Sequence, residues 1–374
     1  MQTSTVRHEG EMMMSDWDQV EALLPPQWEA KARELGALKR VRSIANASTL
    51  LRVMFIHIAQ GSGLRETAEL ARLSGIAQLS DVAILKRLRG CGAWFEWMCH
   101  ELRAAWQPKS LAPEVGSCWS GRRIRLIDGT MVSEPGVTGS KWRLHYSVDL
   151  PSLRADEVIL SGQSDGETLR RFTIKEGDIL VADRGFANAA GVAHVDSGGG
   201  TVVVRMNLVT LPLYDDQEMR LDVLERARTL EIGQCASWQV NVLHKKRNIS
   251  GRLCVVKKTL EASKKARERV RRESLRNGTV LRVDTLEAAD YIFVFTTLGE
   301  EIAARDVLEL YRARWQIELV FKRLKSLADL GHLKKHDPDA ARAWLQGKML
   351  VALLIDALLA TAEHFSPWGC RKLK

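Results

Sequence analysis

Near residue 107 the hydrophobic period of this chain changes, and that change limits what it can fold into. Before it, apolar residues recur at helical spacing, as in Leu50, Val53, Met54, Ile56 and Ile58. A repeat near 3.6 predicts helices through about residue 106. After it, short apolar runs rich in β-branched residues dominate: Arg122 to Val132, Lys141 to Leu150, Asp156 to Gly162, Ile179 to Ala182 and Thr201 to Asn207. Short helices are expected among them at Gly166 to Phe172 and Asn188 to Gly200. Strands followed by strand–helix alternation predict an α/β or α+β layer with mixed strands. Between the two regimes, residues 107–123 hold two prolines, two glycines and three serines, the composition of a linker.

A chain of 374 residues implies two or three domains. Its most apolar stretch, Met349 to Ala360, is short and contains Asp356, so no membrane span is expected. The N-terminus lacks the apolar core of a secretory signal. The six cysteines form no CxxC pair and read as reduced thiols in a cytoplasm. Lysine and arginine number 55 against 46 acidic residues, a formal net charge of +9. That balance points first to a polyanion such as nucleic acid.

Two segments bear on such a partner. Residues 64–90 read as two short helices about Ser74-Gly75. The second opens at Ser80 or Asp81 and carries Lys86, Arg87 and Arg89. This suits a helix-turn-helix, and equally a plain helical hairpin. Lys257 to Arg276 holds nine basic and three acidic residues. It is either a solvated helix or a grip on phosphates.

No P-loop, dinucleotide-binding glycine motif, HExxH, zinc-type Cys/His spacing or GxSxG is present. That leaves carboxylates to carry chemistry. Asp128 and Asp183 each follow an apolar strand and are each followed closely by glycine, in LIDGT and LVADRGF. Such aspartates serve as turn caps or, when strands bring them together, as metal ligands. A third acid lies on a long helix expected from Ile302 to about Asp329. At about 100° per residue, Tyr311, Arg314, Glu318 and Lys325 fall within an arc of about 60°. The face could hold only surface ion pairs, since Arg314–Glu318 is an i,i+4 pair. Alternatively, it looks into a cleft.

The combination resembles the DDE transposases of bacterial insertion sequences, in the group with the signature Y-x2-R-x3-E-x6-K. Here that signature is Tyr311, Arg314, Glu318 and Lys325, with DGT at Asp128, ADRGF at Asp183 and SPWG at Ser366 to Gly369. The resemblance covers nearly the whole chain. It implies an α/β fold: an RNase H-like core with a five-stranded mixed sheet, spanning residues 124–207 and 299–364. It places a β-rich basic insertion at 208–298 and a helical DNA-end-binding domain at 1–106. It also implies catalytic Asp128, Asp183, Glu318, Tyr311, Arg314 and Lys325, the three acids holding two Mg²⁺ ions, with Mn²⁺ able to substitute. The expected partners are double-stranded DNA, as terminal inverted repeats and target, and a second copy of the chain on paired ends. Cut-and-paste transposition through a hairpin follows from the same resemblance. Competing readings are a remnant that only binds DNA and an RNase H-like nuclease without strand transfer. Residues 365–374 form a short tail where the family continues into further helical sequence, so a truncated element is a further expectation. Trp238 is one of eleven tryptophans and is either a base-stacking residue of the insertion or a core residue.

Overall fold

The computed structural model describes residues 16–39, 41, 43–105, 117–119, 121–133, 140–162, 164–206, 208–327, 333 and 337–364. Most of the expected linker and the whole 365–374 tail, with its SPWG segment, lie outside them. The helices are α1 (Asp16–Ala22), α2 (Trp28–Glu34), α3 (Ala47–Ile58), α4 (Leu64–Leu73), α5 (Asp81–Ala105), α6 (Ala189–Ser197), α7 (Val223–Arg228), α8 (Leu260–Asn277), α9 (Val283–Ala288), α10 (Ala304–Ala313), α11 (Trp315–Leu327) and α12 (Pro338–His364). The strands are β1 (Arg123–Ser133), β2 (Ser140–Asp149), β3 (Arg154–Gly162), β4 (Asp178–Ala182), β5 (Thr201–Arg205), β6 (Cys235–His244), β7 (Arg247–Lys257) and β8 (Tyr291–Thr296). The expected helix at Gly166 to Phe172 is only a 3-10 turn, Leu169–Arg171. The chain divides into two compact units, residues 1–106 with 327–374, and residues 107–326.

The first unit is helical. Asn46 caps α3 by accepting from the Thr49 backbone N–H at 2.8 Å, and Ser80 Oγ accepts from Ala83 N at 3.2 Å at the start of α5. Helix α5 does not stop at Gly90, as two short helices would require. It runs on to Ala105, because Cys91, Trp94, Phe95, Met98 and Cys99 extend its apolar stripe and are all buried. Of its three leading cations, Arg89 is already engaged by Asp337, at 3.1 and 2.9 Å. Helix α12 was expected in the sheet-bearing core. It packs on α5 instead, with Ala343 facing Gly92. A fragment ending at residue 106 would therefore expose the α5 face that α12 covers. Among the described residues, no helix is long and apolar enough to cross a membrane.

The second unit is built on one sheet in the order β3-β2-β1-β4-β5-β8-β7-β6. Only β1/β4 and β4/β5 are parallel; the other neighbours are antiparallel. The expected five strands are therefore eight, and residues 208–298 do not form a separate body. The reason lies at β5, whose outer edge would otherwise leave unpaired N–H and C=O groups. Strand β8 pairs there, Val204 opposite Phe295, and β7 and β6 follow. One apolar core then joins Leu180, Ala182, Val202 and Val204 to Val240, Val255, Phe293 and Phe295. Trp238 packs against this core. The other face of β4 and β5, with Ile179, Val181 and Val203, is also buried, and α10 packs on those strands. Burial on both faces explains why β4 reads as an unbroken apolar run.

Strand β7 meets β8 closely at Gly251. A methyl there would stand 2.7 Å from Phe295 ring atoms and from the Thr296 carbonyl oxygen. That oxygen belongs to a paired strand and cannot retreat cheaply. Gly251→Ala is expected to cost about 1–3 kcal/mol, visible as a lower midpoint in urea denaturation with an unchanged slope.

Candidate active site

The parallel register of β1 and β4 ends at Ile127 opposite Ala182. Asp128 and Asp183 are the next residue on each strand, so they stand side by side. Side chains alternate along a strand, which puts both on the face of Leu126 and Val181, under α10. Asp128 is not at a strand end: β1 continues to Ser133 by pairing with β2, Asp128 opposite Tyr146. What ends there is the parallel ladder.

The third acid comes from the opposite wall. The single helix expected from Ile302 is broken at Arg314, where i→i−3 bonds replace the helical ladder. Arg314 N reaches Tyr311 O at 3.1 Å and Ile317 N reaches Arg314 O at 3.0 Å. The break keeps the predicted face together. Arg314 is mostly buried and its guanidinium gathers all three acids: Nη1 lies 3.3 Å from Asp128 Oδ2, and Nη2 lies 2.9 Å from Glu318 Oε1 and 4.0 Å from Asp183 Oδ2. The Tyr311 hydroxyl donates to Asp183 Oδ1 at 3.0 Å. Tyr311, Arg314, Asp128, Asp183 and Glu318 thus share one site. Lys325 lies in α11 two turns beyond Glu318, but its side chain is outside the described residues. Glu318 is 63% exposed against 13% for Arg314, so it stands at the mouth of the site. The i,i+4 ion pair exists, yet a surface pair would not also bind an aspartate 186 positions away.

The two aspartates differ electrically. Burial pushes the Asp128 carboxyl up to about 6, against the Gly129 N–H and Arg314, with Asp183 and Glu167 adding to the rise. Burial also works against Asp183, but the Arg184 backbone N–H, Arg314, the Tyr311 hydroxyl and Arg205 outweigh it and hold its carboxyl below the usual range. Burial, then Asp183, pushes the Tyr311 phenol up to about 12, so it stays a donor.

Three neighbours escaped the sequence reading. Glu167 reaches in beside both aspartates: a methyl at Gly185 would run into its Oε2, and one at Gly129 would lie 3.5 Å from its Oε1. The glycine of DRG, Gly185, makes room for that carboxylate, whereas a methyl at Gly129 would only touch it in ordinary contact. Arg143 lies 3.5 Å from it. His145, opposite Gly129 on β2, bonds Ser161 Oγ at 2.8 Å, and burial pushes it down to about 4, so it is neutral. Its place is visible only once β2 is paired to β1.

Among the described residues, no three His, Cys, Asp or Glu side chains are arranged to hold a metal ion directly. The three carboxylates are instead drawn around one guanidinium. Their chemistry still suits a hard divalent cation: three carboxylates converge on a single positive charge, and oxygen is what such ions select.

The sequence profile of the transposase DDE domain matches residues 119–354. The chain belongs to the DDE transposase family. This transposase is 36% identical over 350 residues to InsL, a transposase for insertion sequence element IS186A of Escherichia coli strain K12, covering 92% of this chain and 93% of that protein. It is 36% identical over 351 residues to the transposase for insertion sequence element IS421 of Escherichia coli, with the same coverage. Among solved structures, a piggyBac transposase synaptic complex with hairpin DNA aligns with a TM-score of 0.46 and 10% identity, covering 93% of this chain and 74% of that one. The transposase is thus that of an insertion sequence.

Proposed function

We propose that this transposase binds the terminal inverted repeats of its element as a homodimer and cleaves DNA there. We further propose that it joins the freed 3′ ends to target DNA, by cut-and-paste through a hairpin. The observation that carries this reading is the convergence of Asp128, Asp183 and Glu318 on Arg314. The sheet supports an RNase H-like core within the larger layer: β3-β2-β1-β4-β5 has β1 to β3 antiparallel and β1, β4 and β5 parallel. We assign end recognition to the helical unit, with α12 included.

Asp128, Asp183 and Glu318 would hold the divalent metal, Mg²⁺ by preference and Mn²⁺ as a substitute. When bound, such ions ease deprotonation of the attacking oxygen and offset charge on the leaving oxygen. The protein's own part is placement. Arg314 has a fork that can trade carboxylates for two phosphate oxygens. Tyr311 keeps its proton and fixes the Asp183 carboxylate through Oδ1. Lys325, by the family signature, would add a point charge for the flanking phosphate. Water attacks the phosphorus and the 3′ oxygen leaves; the freed 3′-OH attacks the opposite strand and expels the flanking DNA's 3′ oxygen, closing a hairpin. A second water opens the hairpin and frees the 3′-OH again, which attacks a target phosphate and expels a target 3′ oxygen.

The test uses duplex DNA carrying the element's terminal repeat. Cleavage is expected with Mg²⁺ and not with EDTA. Arg314→Lys keeps the charge but loses the fork, so end cleavage should fall by about 10²-fold with the melting temperature little changed. DNA that stays intact under all conditions with the wild-type chain would overturn the reading.

A further inference from the structure

Helix α8 has eighteen residues and buries none of them. A helix polar on all sides needs a reason other than the core. It is well made: Thr259 Oγ1 accepts from Ala262 N at 3.4 Å, and Gly278 ends it in the left-handed conformation at φ 61°. It carries Lys264, Lys265, Arg267, Arg269, Arg271, Arg272 and Arg276 against Glu261, Glu268 and Glu273. Few of these charges are spent internally. Arg269 pairs with Glu273 at 3.2 Å, and Arg267 pairs with Asp290. Among the described residues, Lys264, Lys265, Arg271 and Arg276 have no carboxylate within the 4.0 Å of an ion pair.

Sheet register places this charge beside the active site. Asp128 and Asp183 lie just past the last parallel pair of β1 and β4. Arg205 is the corresponding next residue on β5, since Ala182 faces Val204. Strand β8 runs the other way, so its first residue, Tyr291, lies toward this same edge of the sheet, and Lys257 of β7 faces it. Lys258 follows, donating to Ala289 O at 2.5 Å. Lys257, Lys258, Lys264, Arg267 and Arg271 then line one groove, against only Asp290 and Glu268. On α8 those positions are i, i+3, i+4 and i+7, a single face. A second tie comes from Arg184, the residue after Asp183, which reaches Glu273 at 3.8 Å. A band of positive charge thus runs along the sheet edge from the carboxylates to α8.

We propose that α8 and this sheet edge form a phosphate track that holds the DNA duplex adjoining the cut. The proposal rests on the DNA-cleaving function proposed above and locates one surface for it. Charge complementarity selects the partner: cations in a row, spaced one or two helical turns apart, with an acidic cluster at one end where the scissile phosphate would sit. Each phosphate neutralised steepens the fall of affinity with salt by about 0.9 in log–log slope.

The test is Lys264→Gln with Arg271→Gln, against a control of equal charge loss, Lys245→Gln with Lys246→Gln. The control pair lies in the β6–β7 turn, at the opposite edge of the same sheet. Melting temperatures of both full-length variants are checked first. Affinity for terminal-repeat duplex is then measured across a salt series. The groove variant is expected to lose about 1.8 from the slope and about ten-fold or more in affinity, while the control stays near wild type. An unchanged slope in the groove variant would overturn the track even if wild-type cleavage is intact. Equal losses in both variants would reduce it to net charge. A wild-type chain that binds no DNA would sink both the track and the function on which it rests.

Discussion

Asp128→Asn is expected to leave the transposase folded and to lower terminal-repeat cleavage by at least about 10³-fold. The fold should tolerate it because asparagine keeps an oxygen for the Gly129 N–H, which lies 2.7 Å from Asp128 Oδ1. It also removes a charge that burial already disfavours, since the carboxyl is pushed up to about 6. The chemistry should not tolerate it. A neutral amide oxygen binds a hard divalent ion far more weakly than a carboxylate, and metal stabilisation of a phosphoryl transfer is worth several kcal/mol. At 1.36 kcal/mol per factor of ten, that accounts for the expected loss. Thermal melting and gel-based cleavage with Mg²⁺ are the two measurements. Wild-type cleavage by the variant would remove Asp128 from the catalytic site.

Arg125→Ala is expected to cost about 3–5 kcal/mol of stability without touching the active site. Arg125 and Asp178 are each 1% exposed, on the face of β1 and β4 opposite Asp128. Arg125 binds Asp156 at 2.8 Å, Glu157 at 2.8 Å and Asp178 at 3.1 Å, and donates to Ser147 Oγ and the Thr173 carbonyl. Removing the cation leaves Arg123, among the described residues, as the one cation paired with the buried Asp156 and Asp178. Stranding buried charge is what makes breaking such a network expensive, whatever the intact network contributes. Urea denaturation of the full-length chain reads the effect. A loss below about 1 kcal/mol would mean that water reaches Asp156 and Asp178 when the arginine goes.

The DG and DRG motifs show how far the sequence reaches. The apolar run Ile179 to Ala182 marked where Asp183 would emerge, because burial on both faces leaves β4 little room for polar residues; in β1 only Leu126 and Ile127 follow the buried Arg125 before Asp128. The glycine of DRG was visible, but not its purpose. Glu167 lies 39 positions from Asp128 in sequence, and only the assembled sheet, β3 through β2 and β1 to β4, brings its carboxylate against Gly185.

The helix face carrying Tyr311, Arg314 and Glu318 followed from spacing alone, since helical period fixes direction locally. Spacing could not say whether that face met water or the aspartates. The break at Arg314, with its i→i−3 bonds, falls where Arg314 meets Asp128 and Asp183, more than a hundred residues earlier. The sheet count shows the same division. The β-rich character of residues 208–298 was expected, whereas the joining of β6, β7 and β8 to β5 depends on which edge needs a partner, a property of the assembled sheet. The placement of α12 depends in the same way on the face that α5 leaves open. Sequence by itself determined the main strand and helix runs, though not all their ends, the candidate acids and the family, because these rest on local period and motif. Tertiary structure decided the eight-stranded layer, the Arg314-centred cluster, Glu167 and the basic edge, because each joins residues that only long-range pairing brings together.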